Sequence, residues 1–295
     1  MVLVNIGCGS TWHPAWINLD VRPSHGQVKR WDALLGLPFA DAEVDACYSS
    51  HFLEHLSRTQ ARALMVEAGR VLKPGGIIRL AVPDLEAMTK EYLSLLTQAA
   101  SGDETAARRY EWITLEMLDQ LVRTESGGEM ERYLRSQAGG NADYVLSRIG
   151  PGAKEYLCQS KTVDNPRPSD DRNVAGPPHA GLQRALCAAV APLKRIFQRT
   201  GHSFQDVAAQ WCGALAGARG RQAMQEGLFR QSGEIHRWMY DRFSLRRLLE
   251  QAGFQQIHTR TAFESRIPAF ATFGLDVLDG RVRKPDSLFM EAVRS

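Results

Sequence analysis

No stretch of the chain approaches the ~18 consecutive apolar residues that a membrane-spanning helix needs. A basic start followed by a long apolar run is also missing, so no secretory leader is expected. Cysteine is sparse: Cys8, Cys47, Cys158, Cys187 and Cys212 are an odd set, widely spaced, with no CxxC and no Cys/His cluster. That pattern excludes a disulfide framework and a zinc-finger-like site, and it fits reduced thiols in a cytoplasmic protein with no metal. Neither sign of charge dominates, with 36 basic against 33 acidic residues and a net charge of +3. The excess is spread over small patches, so nothing demands nucleic acid as a partner. With 295 residues, 44% of them hydrophobic, the chain can bury a full core without metal or disulfide staples.

What is present begins at once. Val2–Ile6 is a short apolar run ending in glycine, the pattern of a buried parallel strand. Trp16–Val21, Glu43–Tyr48 and Gly76–Val82 read as further strands. Between the last two, Ala61, Leu64, Met65, Ala68, Val71 and Leu72 recur at helical spacing, with Ser57 placed to cap the helix start and "KPGG" (Lys73–Gly76) to stop it. Strands alternating with helices predict a parallel α/β sheet, and such sheets bind ligands at the carboxyl ends of their strands. The stretch "VNIGCGSTWHPAWINLDV" (Val4–Val21) suits that role. Gly7 and Gly9 allow backbone to approach a ligand that a Cβ would block, and Asp20 can accept two hydrogen bonds from a ribose diol. Asp20 comes too soon after the glycines for a dinucleotide fold, whose acid stands about 20 residues on.

Two longer stretches, "WDALLGLPFADAEVDACYSSHFLEHL" (Trp31–Leu56) and "EAGRVLKPGGIIRLAVPDL" (Glu67–Leu85), resemble the class I S-adenosylmethionine-dependent methyltransferases, type 11 branch. The likeness runs from Met1 to about Leu85 and resumes over about His236–Arg294. It implies a Rossmann-like α/β fold: a mostly parallel seven-stranded sheet whose last strand, Asp286–Val293, is antiparallel, plus a large, mainly helical insertion. It also implies S-adenosylmethionine as cofactor. Gly7, Cys8 and Gly9 would cradle its methionine part, and Asp20 would hold the ribose. Asp32, with the Ala33 backbone beside it, would meet the adenine amino group, and the Ser49 and Ser50 carbonyls the ammonium. Asn5 stands where many relatives have an acid, and Thr11 where many have a glycine. The segment between Gly9 and Asp20 is short, so the usual first helix must be clipped to a turn. That clipped form resembles methyltransferases that act on cell-surface saccharides.

The chemistry then turns on the acceptor. A sugar hydroxyl loses its proton as the new bond forms, so a general base helps by roughly 10²–10⁴-fold, whereas an amine need only be neutral. "SSHFLEH" offers His51, two residues past Ser49, and Glu54, which matches an active-site-facing acid of related families. His55 reads as structural, and Asp84 either orients substrate or caps the next helix. Further on, "HRWMYDRFSLRRLLEQAGF" (His236–Phe254) carries a helix capped by Ser244, with Leu245, Leu248 and Leu249 facing inward. Packing accounts for Trp238 and Met239 but poorly for His236, the second base candidate.

The predicted organisation is a cofactor-binding core of residues 1–85 and 234–295, and a helical insertion over 86–233 that acts as a lid or substrate wall. Helices are expected over Leu85–Leu96, Glu104–Val122 and Glu129–Ser147, then a proline-rich loop over 150–181. Residues 182–199 form a basic amphipathic pattern suited to a membrane surface or a partner, or to packing on the protein itself. "DNPRP" (Asp164–Pro168) is not the motif of base-amino methyltransferases and stands in the wrong place for it, which argues against nucleic-acid methylation. The expected acceptor is a hydroxyl or amine of a saccharide or other small molecule. A natural-product methyltransferase and a non-catalytic cofactor-binding subunit are the alternatives.

Overall fold

The computed structural model describes residues 1–136, 140–151 and 204–295. The proline-rich stretch after residue 151 and the basic pattern of 182–199 lie outside the described residues. The chain divides into two compact units, Met1–Arg123 with Gly127–Lys161 and Ile235–Ser295, and Thr124–Ser126 with Thr162–Glu234. In the second unit the described helix is Phe204–Arg230, interrupted at Gly217, where φ is +67°.

The first unit is built on a seven-stranded sheet. In chain order its strands are β1 (Leu3–Ile6), β2 (Ile17–Asp20), β3 (Val28–Arg30), β4 (Val44–Ser50), β5 (Leu72–Pro83), β6 (Phe254–Arg260) and, after a two-stranded ribbon of β7 (Val277–Leu278) and β8 (Arg281–Val282), β9 (Ser287–Arg294). Their spatial order is β3-β2-β1-β4-β5-β9-β6. Strands β3, β2, β1, β4 and β5 pair in parallel, and β9 runs antiparallel to both β5 and β6. The chain moves outward from β1 to β3 and then returns to the other side of β1. This makes the crevice between the carboxyl ends of β1 and β4 the switch point where such sheets take ligands.

Each strand forms for a local reason. All four residues of β1 are buried, as a strand covered on both faces requires. The helix α1 (Arg58–Val71) starts on a capping box, with Ser57 Oγ accepting from the Gln60 N–H and Gln60 Oε1 from the Ser57 N–H. It buries Ala61, Leu64, Met65, Ala68 and Val71 against the sheet. Each large side chain among them stabilises the fold by about 1.5–3 kcal/mol. Lys73–Gly76 does not separate helix from strand as expected. It loops out within β5, where the pairing jumps from Val44↔Leu72 to Ala46↔Ile77 and Gly75 takes φ +78°. Between β1 and β2 there is no helix, as the short spacing required.

Helices α2 (Leu85–Ala100) and α3 (Glu104–Val122) follow, and Asp84 caps α2 by accepting from the Ala87 N–H. The single helix expected over Glu129–Ser147 is two, α4 (Gly128–Ser136) and α5 (Ala142–Ile149), separated where the sequence carries Gly139-Gly140. In the C-terminal helix α7 (Arg242–Gln251; α6 is Phe204–Arg230) the cap is Asp241, and Ser244 is its capping-box partner rather than the cap. Leu245, Leu248 and Leu249 are buried as expected.

One ion cluster ties the far half of the sheet together. Arg79 on β5 is wholly buried and donates to Asp276 (2.7 Å), to Glu291 on β9 (2.9 Å), and to the carbonyls of Thr261 and Glu264. Asp276 also accepts from the Tyr48 hydroxyl at 2.6 Å. Removing Arg79 would take away the buried cation that bridges Asp276 and Glu291, leaving Glu291 only the looser pair with Arg260 at 3.5 Å. Arg79→Met is therefore expected to cost about 3–5 kcal/mol in denaturant unfolding. A loss below about 1 kcal/mol would show that the cluster does not hold β5 to β9.

Candidate functional site

At the switch point the chain turns tightly. Gly7 and Gly9 both take positive φ (+64° and +54°), which residues with a Cβ rarely adopt. The Gly7 and Cys8 N–H groups donate to the Leu19 carbonyl (2.9 and 3.2 Å), and the Gly9 N–H to Asp20 Oδ2 at 2.8 Å. The turn after β1 is thus bolted to the end of β2. A Cβ on Gly7 would collide with the Phe52 ring, while the space over Gly9 is open. Cys8 is buried and, with Asp20 nearby, its thiol is pushed up to about 12, so it stays protonated.

Asn5 is buried beneath the turn. Its amide donates to the Thr11 carbonyl (3.0 Å) and to Asn18 Oδ1 (3.2 Å), and its Oδ1 has no partner among the described residues. Asp32 caps a short 3₁₀ turn, Ala33–Leu35, through the Leu34 N–H, and Ala33 is buried beside it. Ser49 lies inside the sheet with its hydroxyl on the Ile6 carbonyl at 2.9 Å, and Ser50 ends β4, half-buried. The nine residues expected to hold a cofactor therefore stand on β1, the β1–β2 turn, the end of β2, the turn after β3 and the end of β4.

Directly after β4 comes the second group. His51 is a non-glycine residue at φ +50°, its N–H held by the Ala81 carbonyl. A left-handed backbone at a bulky residue is a stored strain of the kind found at functional sites. Its Nε2 lies 2.7 Å from the Ser287 hydroxyl and its Nδ1 3.5 Å from Glu54. Glu54, on the 3₁₀ turn Leu53–His55, is fully buried, and among the described residues neither carboxylate oxygen has a hydrogen-bond partner. Burial raises its carboxyl well above the ordinary range and drives the His51 imidazole well below its own. His236, buried, is pushed down to about 3 by desolvation and by His55. Its ring stands edge-on to that of His55, with centroids 4.9 Å apart.

All three expected catalytic residues thus meet in one place. His55, read from the sequence as structural, belongs to the same cluster: one ligand-type atom each from Glu54, His55 and His236 lie within 4.8 Å of one another. The segments are stitched together: the Arg237 and Trp238 N–H groups donate to the Glu54 carbonyl, and the His236 N–H to the Gln120 carbonyl of α3. Asp84 is accounted for as a helix cap. Lys284 and Asp286, two half-buried ionisable groups on the approach to β9, carry no local sequence pattern that marks them. Burial lowers the Lys284 ammonium and raises the Asp286 carboxyl to about 7.

Residues 4–80 match the family Methyltransf_11, described as a methyltransferase domain. No curated protein matches the chain. Among solved structures, a methyltransferase of Haloferax volcanii in complex with the Trm112 methyltransferase activator is 12% identical, with 99% of this chain and 81% of that one covered, at a TM-score of 0.37. An S-adenosylmethionine-dependent methyltransferase from Mesorhizobium loti is 20% identical over 28% of this chain and 47% of that one, at 0.22. Phosphoethanolamine N-methyltransferase 2 of Haemonchus contortus, complexed with S-adenosylhomocysteine, is 17% identical over 55% and 44%, at 0.24. Likenesses this loose add nothing to what the matched segment and the strand order establish. Residues 4–80 thus match a methyltransferase domain, and they lie within a seven-stranded, mostly parallel sheet of order β3-β2-β1-β4-β5-β9-β6.

The glycine turn yields a direct test. Gly7→Ala puts a Cβ at positive φ against Phe52, so the turn and the neighbouring Phe52–His55 segment must shift together. Amide spectra of this variant are expected to change at both Gly9 and His55. A change confined to residues 6–8 would contradict the coupling.

Proposed function

We propose that the chain binds S-adenosylmethionine across the ends of β1, β2 and β4 and transfers its methyl group to a hydroxyl of a saccharide or other small molecule, in the cytoplasm. The observation that carries the reading is the Gly9 N–H bound to Asp20. It holds a turn whose Gly9 face is open beside a carboxylate at the switch point of the sheet. The site fits the cofactor on its own terms. The space over Gly9 is clear, Asp20 keeps lone pairs for a ribose diol, and Asn5 Oδ1 is a buried acceptor that lacks a donor among the described residues. Gly7, Cys8 and Gly9 would line the methionyl end, Asp32 and Ala33 the adenine, and Ser49 and Ser50 the ammonium.

Bound there, the cofactor supplies a methyl on a positively charged sulfur, an activated leaving group. The chain's task is to exclude water, align the acceptor and take its proton. His51 is placed for the last task, because it follows the residues assigned to the cofactor and burial keeps its imidazole neutral and able to accept. Glu54 and His236 flank it and serve the acceptor side. Helices α2–α5 belong to the insertion assigned to walling that side, and α3 supports this by fixing the His236 backbone through Gln120.

Calorimetry with S-adenosylmethionine is expected to show micromolar binding, weakened by about 1–3 kcal/mol in Asp20→Ala. No binding to the wild type would end the proposal. With an acceptor in hand, His51→Gln is expected to lose roughly 10²–10⁴ in kcat with cofactor affinity unchanged. A kcat near that of the wild type would remove His51 as the base and favour an amine acceptor.

A further inference from the structure

The geometry points to a binding site for a divalent first-row transition ion formed by Glu54, His55 and His236. Each of these side chains presents one ligand atom, and the three atoms lie within 4.8 Å of one another. Donors around a tetrahedral ion at about 2.1 Å stand about 3.4 Å apart, so small side-chain rotations close the set.

Three further observations make this a built site rather than a chance cluster. The Glu54 carboxyl is completely excluded from solvent and neither oxygen has a hydrogen-bond partner among the described residues. A cation held by the cluster would give these oxygens a partner. The His55 tautomer is set, since Nδ1 lies 3.0 Å from the Ile235 carbonyl, to which it can only donate. Nε2 therefore carries the lone pair, and the second-shell carbonyl orients the ring as metal-bound histidines require. The two segments that supply the ligands are also locked to each other through the Glu54 carbonyl and the Arg237 and Trp238 N–H groups, so the site is assembled before any ion arrives.

Two imidazoles and one carboxylate select zinc, cobalt, iron or manganese over magnesium and calcium, which favour all-oxygen sites. Three protein ligands leave positions open for oxygen donors, such as adjacent hydroxyls of a polyol. This last clause rests on the methyl-transfer reading; the ion site does not.

The test is titration of the metal-free full chain with Co²⁺, read by its visible ligand-field absorption and competed with Zn²⁺. The same samples are then titrated with S-adenosylhomocysteine by calorimetry. One ion per chain is expected, displaced by Zn²⁺. Glu54→Gln and His236→Gln should each weaken Co²⁺ binding by about 100-fold or more while cofactor binding persists, and His258→Gln, at an exposed position, should change nothing. Absence of stoichiometric Co²⁺ binding by a wild type that does bind the cofactor would overturn the ion site alone. So would unchanged Co²⁺ affinity in both ligand variants. Co²⁺ binding without cofactor binding would uphold the ion site and defeat the methyltransferase reading.

Discussion

A carboxyl group removed from water has to be compensated, and at Glu54 the protein alone does not do so. The 3₁₀ turn after β4 carries this side chain to full burial, with no donor on either oxygen among the described residues. Isolated burial of an ionised carboxylate costs several kcal/mol or more, and the group responds by holding its proton. Around it the structure gathers His51, His55 and His236, all withdrawn from solvent to different degrees, and none placed to donate a good hydrogen bond to it. Local folding accepts that cost at one point, directly past the strand whose end faces the cofactor turn. An unsatisfied polar group kept at the ligand-binding end of a sheet is intelligible if something else completes the site.

The placement depends on topology. Because β1 is flanked by β2 on one side and β4 on the other, the turn that follows β1 and the loop that follows β4 open onto the same crevice. The Phe52 ring fills the space that a Cβ on Gly7 would occupy, so the glycine turn and the segment that carries His51, Glu54 and His55 are in mechanical contact. The chain's return from position 235 completes the cluster, and backbone hydrogen bonds to Glu54 and Gln120 fix it there. Arg79 supports the other half of the sheet, holding β5, β9 and the segments around Thr261, Glu264 and Asp276 in one ion network.

Much of this was legible in the sequence because it is written in local patterns. β1, β2, β4, β5 and β9 follow from apolar runs, α1 from its Ser57 cap and apolar spacing, and α3 was read to the residue. β3 was missed because it has three residues, of which only Val28 is buried. β6 was missed because Gln256 sits at φ +48° and bulges the strand, so that Phe254 and Ile257, three apart, face the core; alternation, the usual mark of a strand, is lost. At the site, Gly7, Gly9 and Asp20 were legible because their chemistry depends on neighbours in sequence. The role of His55 was not, since its partner His236 stands far along the chain and adjacent residues show no ligand spacing. Lys284 and Asp286 were invisible for the same reason: only the fold brings them, half-buried, near Glu54.

The central claim is that the glycine turn and Asp20 hold an S-adenosyl group at the carboxyl ends of β1 and β2. A crystal structure of the chain grown with S-adenosylhomocysteine tests it most directly. The account predicts the ribose hydroxyls on the Asp20 carboxylate, the methionyl end over Gly7–Gly9, and the sulfur turned toward His51. Density for the ligand elsewhere, or an empty turn at saturating ligand, would contradict it.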